Sequence, residues 1–209
     1  MFSLQTIFGK GDRFYGLLEA SAQAGRQSAR ALIQLLSEHS ATPSLDEFRV
    51  ARRREKELLA QISQELVNTF VTAIEREDIE ALANALYKIP KSVEKFAERY
   101  ALFAERVADL SYVTRAAMLE KATDTIVQMV GELRGGFKLD VMHDLNEHLQ
   151  SIESEADRLI LELYRDLFTN EKDVSRLVLR KDLFELLEKA IDRCRDAGNI
   201  IYRIVLKNS

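Results

Sequence analysis

The sequence predicts an all-α protein of six long helices, forming two three-helix bundles related by an internal repeat. Three observations carry this expectation. Apolar residues recur at three- and four-residue steps almost everywhere, and the strict alternation of half-buried strands is missing. Only 8 Gly and 2 Pro occur among 209 residues, which leaves little material for turns and favours a few long elements. The two halves also match each other. Laying Phe168 on Phe70 places Glu153 on Glu55 and Glu155 on Glu57 without a gap, and acid-rich turns, "IEREDI" and "NEKDV", follow. That pattern reads as a duplication, with residues 1–110 and 111–209 as the two units of a single domain.

Each element has its own signals. After a short lead, a first helix is expected from about Asp12 to Glu38, burying Leu17, Leu18, Ala24, Ala31 and Leu35, and ending at "HSATPS". Ser44 followed by Glu47 predicts a capping box for a second helix, which continues through Leu58, Leu59, Ile62, Leu66 and Phe70. "EREDIEALANALYKIPKSVEKFAERY" is a third helix with acids where the helix dipole favours them. Pro90 removes one backbone donor inside its apolar period and predicts a kink, since Val93, Phe96 and Tyr100 keep the rhythm. A fourth helix spans Ser111 to Arg134 and stops at Gly135-Gly136; a fifth spans Leu139 to Phe168. In "TNEKD" Asn170 offers a cap, with Asp173 three residues on, before a sixth helix that extends to Lys207. Long helices on short connections imply antiparallel packing.

Composition narrows the function. Hydrophobic residues make up 46% and charged residues 31%, which excludes a disordered chain. Lys and Arg total 30 against 34 Asp and Glu, a net charge of −4 without a concentrated basic face, so nucleic acid is not an expected partner. The opening "MFSLQTIFGKGDRF" lacks the basic segment and small-residue cleavage site of a signal peptide. No uncharged stretch approaches the roughly 20 residues of a membrane span. The single Cys194 forms no internal disulfide, which fits a reducing, cytoplasmic compartment.

Catalytic machinery is sparse. Cys194 has no evident His partner, "GELRGG" lacks the Lys-Ser/Thr ending of a phosphate loop, and no Ser occupies a strand-to-helix elbow. The protein is therefore expected not to be an enzyme. The chemistry the sequence offers is carboxylate. Glu153 and Asp157 lie four apart on one helix, as do Asp192 and Asp196 on another, with Glu188 extending the second row. Such spacing stacks side chains on one face, and clustered carboxylates suit Mg²⁺, Ca²⁺ or iron. Arg158, Arg193 and Arg195 are equally placed to neutralise them. Counting residues out from the Phe168 hairpin, the two pairs fall more than ~10 Å apart along the bundle, so simple hairpin geometry keeps them separate. "HDLNEH" spaces His143 from Glu147 and Asp144 from His148 by four, but the Glu-x-x-His pairs of helical di-iron enzymes are missing. "RVARRREKE" reads as a solvated helix face that could also meet anionic lipid or an acidic partner.

Four segments together resemble one family: "MFSLQTIFGKGDRFYGLLEASA", "TFVTAIEREDIEAL", "IESEADRLILELYRDLF" and "LFELLEKAIDRCRDAGNIIYRIVLKN". They resemble, in order and over nearly the whole chain, the PhoU-like family that accompanies Pit-type inorganic phosphate permeases. The resemblance implies two three-helix bundles and a cytoplasmic, non-enzymatic accessory or regulator of phosphate transport. Its implied partner is a Pit-type permease at the inner face of the membrane, through which the protein would associate peripherally; a homo-oligomer is compatible with it. Relatives in the wider group carry Glu/Asp-x-x-x-Asp rows that bind metal clusters, which implies a divalent metal or iron at Glu153, Asp157, Asp192 and Asp196. Arg195 stands where such relatives often have a further Glu. In the first half Leu59 replaces an expected Asp, and Tyr87, Lys88 and Lys91 stand where the acidic row is expected. The alternative reading is a carboxylate-rich metal-binding bundle or a ferritin-like metal-dependent enzyme, using these acids and His148.

Overall fold

A computed structural model describes the backbone of residues 4–38, 40, 42–107 and 110–209, and the side chains of these except 4–12, 110 and 111. Residues 1–3 of the opening motif and residues 39 and 41 of "HSATPS" lie outside it. The described chain is six α-helices: α1 Leu4–Ser37, α2 Asp46–Asn68, α3 Arg76–Val107, α4 Leu110–Arg134, α5 Leu139–Asn170 and α6 Val174–Asn208. The expected all-α class and helix order hold, with α1 starting eight residues earlier than its predicted Asp12.

Within each half the three helices touch one another, and the halves join through α1 against α4 and α3 against α6. The result is a four-helix centre of α1, α3, α4 and α6, with α2 and α5 flanking it. One continuous apolar core runs through both halves, from Phe14, Leu18 and Leu32 to Phe184, Ile191 and Ile201. At the junction of α3, α4 and α6 the Tyr112 ring stacks on Phe184 at 4.4 Å and meets Phe96 edge-on at 5.8 Å. Where α4, α5 and α6 converge, a Cβ on Gly198 would stand 2.4 Å from Leu149 Cδ2, so only glycine permits that approach.

Several local expectations are revised. The capping box at α2 does not form: Leu45 takes the cap position, while the Ser44 hydroxyl accepts the Asp46 N–H at 3.3 Å and donates to the Asp46 carboxylate at 3.2 Å. Asp46 thus captures the hydroxyl that Glu47 was expected to reciprocate. At α6 the cap is Asp173, whose Oδ1 accepts from the N–H groups of Ser175 at 2.9 Å and Arg176 at 3.2 Å. Asn170 still belongs to α5 and donates to Asp166 at 2.6 Å. The helical dihedrals of α3 run unbroken through buried Pro90 and are interrupted at Phe103 instead, with φ −134° and ψ 17°. A single missing donor is absorbed there by tight packing of the surrounding apolar face. α4 ends as predicted, with Gly136 at φ +104°.

Candidate functional site

α5 and α6 form an antiparallel hairpin across the turn 171–173. Its register is fixed by two cross-helix contacts: the Tyr164 hydroxyl donates to Glu185 at 2.7 Å, and Arg195 bonds Glu153. This register overturns the expected separation of the acid pairs. Because α5 continues to Asn170 and the first turn of α6 runs past that end, Glu153 comes level with Asp196 and Asp157 with Asp192. Counting outward from Phe168 left out both the longer α5 and this stagger of α6.

Arg195 is the centre of this arrangement. Its guanidinium bonds Glu153 of α5 and lies 3.5 Å from both Asp192 and Asp196 of its own helix. Asp196 also accepts from Arg193 at 3.0 Å. Asp157 is exposed and acts on the row through its charge. Burial pushes the Asp192 carboxyl above the ordinary range; Arg195 opposes this, and Asp157 and Asp196 reinforce it. Burial likewise raises Glu188, with Asp192 and Asp157 adding to the shift. Arg195 is held more firmly protonated, because Asp192 and Glu153 outweigh its own desolvation.

Three of the four predicted residues therefore converge on a guanidinium. Among the described residues no group of three or more His, Cys, Asp or Glu is disposed to hold a metal ion. The side chains present do not fit a resident cation, since one placed among them would have to displace Arg195. His143 pairs with Glu147 at 3.2 Å on the exposed side of α5, and His148 has no contact with the row. Cys194 is buried in the core, and desolvation pushes its thiol up, away from the thiolate form.

The first half is also reordered. α3 and α6 begin at Arg76 and Val174, the same 98-residue separation that relates Phe70 to Phe168. That offset equates Asp192 with Glu94 and Asp196 with Glu98, not with Tyr87, Lys88 or Lys91. The first-half row thus keeps Glu55, Glu94 and Glu98, with Leu59 in place of Asp157. Here too an arginine intervenes. Arg52, expected on a wet face, is buried and bonds Glu94 at 3.0 Å and the Tyr87 hydroxyl at 2.9 Å. Glu55 is fully buried, accepts from Ser21, and has its other oxygen unpartnered. Burial raises its pKa to about 7, against the lowering influence of Ser21, Arg52 and Arg54. The signal was in the periodicity: Glu55 lies three residues before Leu58 and seven from Phe48 and Ile62, on the apolar stripe that α2 buries.

With this geometry in view, the likeness to known proteins is informative. The chain is 26% identical over 152 residues to UPF0111 protein YkaA of Bacillus subtilis (strain 168), covering 70% of this chain and 71% of that protein. It is 23% identical over 206 residues to a Rhizobium meliloti (strain 1021) protein named "Putative pit accessory protein", covering 97% and 96% of the two chains. Among solved structures, a PhoU-like protein from Shewanella oneidensis MR-1 superposes with a TM-score of 0.76 at 16% identity, over 93% of this chain and 99% of that one. PhoU from Pseudomonas aeruginosa gives 0.73 at 16% identity, over 97% and 100%.

The fold is PhoU-like. No protein-family model matches the chain. The resemblance read from the four sequence segments therefore stands on full-length likeness in both sequence and fold. In this chain an arginine enters each acid row, Arg52 bonding Glu94 in the first half and Arg195 pairing with Glu153, Asp192 and Asp196 in the second.

Proposed function

We propose that the protein is a non-enzymatic regulator of inorganic phosphate transport that acts at a Pit-type permease on the cytoplasmic face of the membrane. The observation that carries this reading is the alignment with the Rhizobium protein over 97% of the chain. The chemistry of the chain is consistent with it: Arg52 and Arg195 bond Glu94 and Glu153 of the acid rows, and the one thiol is buried in the core. Among the described residues no helix is long and apolar enough to cross a membrane. Uncovered apolar side chains stand at both hairpin ends, Phe70 and Val71 in the α2–α3 connection and Phe168 and Val174 on the helix ends either side of the α5–α6 turn. These provide surfaces for a partner.

Two measurements test the reading together. Deletion of the gene is expected to change the rate of phosphate uptake, and the tagged protein is expected to recover a phosphate permease from detergent-solubilised membranes. Unchanged uptake combined with no permease recovered would reject it.

A further inference from the structure

A second charged feature lies on the other side of α6. Lys88, Lys91, Ser92 and Lys95 of α3 and Leu186, Lys189 and Arg193 of α6 line a groove of about 280 Å³. Its wall holds five cationic side chains and no carboxylate. Lys88, Lys91, Lys95 and Lys189 enter no ion pair with any described residue; Lys91 lies 5.9 Å from the Tyr87 ring, and Arg193 is paired with Asp196. The nearby acids are turned away, Glu94 toward Arg52 and Asp192 toward Arg195.

The groove sits on the approximate two-fold axis of the repeat. α3 and α6 run antiparallel, as the pairs Arg99–Asp182 at 3.2 Å and Lys207–Asp78 at 2.9 Å fix at either side. In that register Lys91 comes opposite Lys189. The 98-residue offset makes these two lysines equivalent, and likewise Lys95 and Arg193. The duplication has therefore brought like charges together over a buried apolar floor, Leu186. Four lysines without internal counter-ions, beside an Arg193 already paired with Asp196, create a focused positive potential, and a compact, multiply charged anion would relieve it.

We propose that this α3–α6 groove binds a small, multiply charged phosphate anion, of the class of orthophosphate, pyrophosphate or a short polyphosphate chain. Lysines grip such groups as point charges, and Arg193 adds a planar fork. The groove is at the small end of ligand pockets, which suits an inorganic anion better than a nucleotide. The proposal stands on the groove's own charges and does not depend on the permease.

The test is isothermal titration of the full chain with orthophosphate, pyrophosphate, tripolyphosphate and sulfate at about 0.1 M ionic strength. Saturable binding that strengthens with phosphate charge is expected. Lys91→Glu with Lys189→Glu should weaken it at least about tenfold. Lys121→Glu on exposed α4, with the same charge change per site, should leave it unaltered. The milder pair Lys91→Gln with Lys189→Gln gives a second reading, and thermal melts check that each variant is folded. Absence of saturable binding to all three phosphates, equal weakening by Lys121→Glu, or sulfate binding as tightly as pyrophosphate overturns the proposal. So does binding confined to phosphatidic acid vesicles, which would assign the charge to a lipid surface.

Discussion

Arg195 on α6 bonds Glu153 on α5 while lying 3.5 Å from both Asp192 and Asp196. One guanidinium thus serves three carboxylates, and the half-buried position makes each contact count for more than an exposed ion pair. Arg195→Ala leaves those acids facing one another. The expected cost is on the order of 1–2 kcal/mol near neutral pH, since the site is only partly screened by solvent. The loss should shrink as pH falls and Asp192, whose carboxyl burial raises, takes up a proton and no longer needs the counter-charge. Urea denaturation of the variant and parent at a series of pH values from 8 down into the acid range measures this; a cost that does not change with pH would show that Arg195 acts by packing alone.

The same replacement bears on metal chemistry. In the parent, the guanidinium occupies the charge position that a cation would take, so Mn²⁺ or Mg²⁺ should leave the melting temperature unchanged. Arg195→Glu gives Glu153, Asp157, Asp192 and Asp196 a further carboxylate in place of their counter-charge, and hard cations favour such oxygen clusters. Millimolar Mn²⁺ should then raise the melting temperature of the variant by several degrees, by binding only the native state. Parent protein that is equally stabilised by Mn²⁺ would mean that Arg195 yields its place.

The core makes a separate prediction. Phe184 is fully buried, stacks on Tyr112 at 4.4 Å and lies under the Arg115 guanidinium at 4.6 Å. Phe184→Ala removes a large side chain where three central helices of both halves meet, and should cost about 3–5 kcal/mol. Because the halves share this core, the expected unfolding remains a single transition at lower denaturant. Two resolved transitions would show that the halves fold independently.

How much of this was legible in the sequence depends on the range of the interaction. Helix periodicity is local, so the six helices could be read directly, and Asp173 lay within three residues of the predicted cap. Hairpin register is not local. It turned on α5 continuing to Asn170 and on the Tyr164–Glu185 contact, and a shift of a few residues moved Asp157 from distant to level with Asp192. The repeat was visible at Phe70 and Phe168, yet the first-half row was misplaced until the starts of α3 and α6 fixed the offset through the third helix of each half. The lysine groove had no sequence signal. Its cations come from segments about 100 residues apart and meet only because α3 and α6 cross antiparallel.

Glu55 provides a pH prediction with a definite sign. Its carboxyl lies between α1 and α2, is fully buried and accepts from Ser21, and its pKa is raised from 4.5 to about 7, mainly by desolvation. Below pH 4.5 the group is protonated in both folded and unfolded chains and imposes no penalty. Between pH 4.5 and 7 the unfolded chain releases the proton that the folded chain retains, so stability falls as pH rises. Above 7 both are ionised and the penalty is constant, at about 3 kcal/mol. Glu55→Gln keeps an acceptor for the Ser21 hydroxyl and mimics the protonated state. The variant should match the parent near pH 4.5, exceed its stability at pH 8, and flatten the slope between them. Urea midpoints at half-unit pH intervals measure this, and parallel curves for the two proteins would place the titration elsewhere.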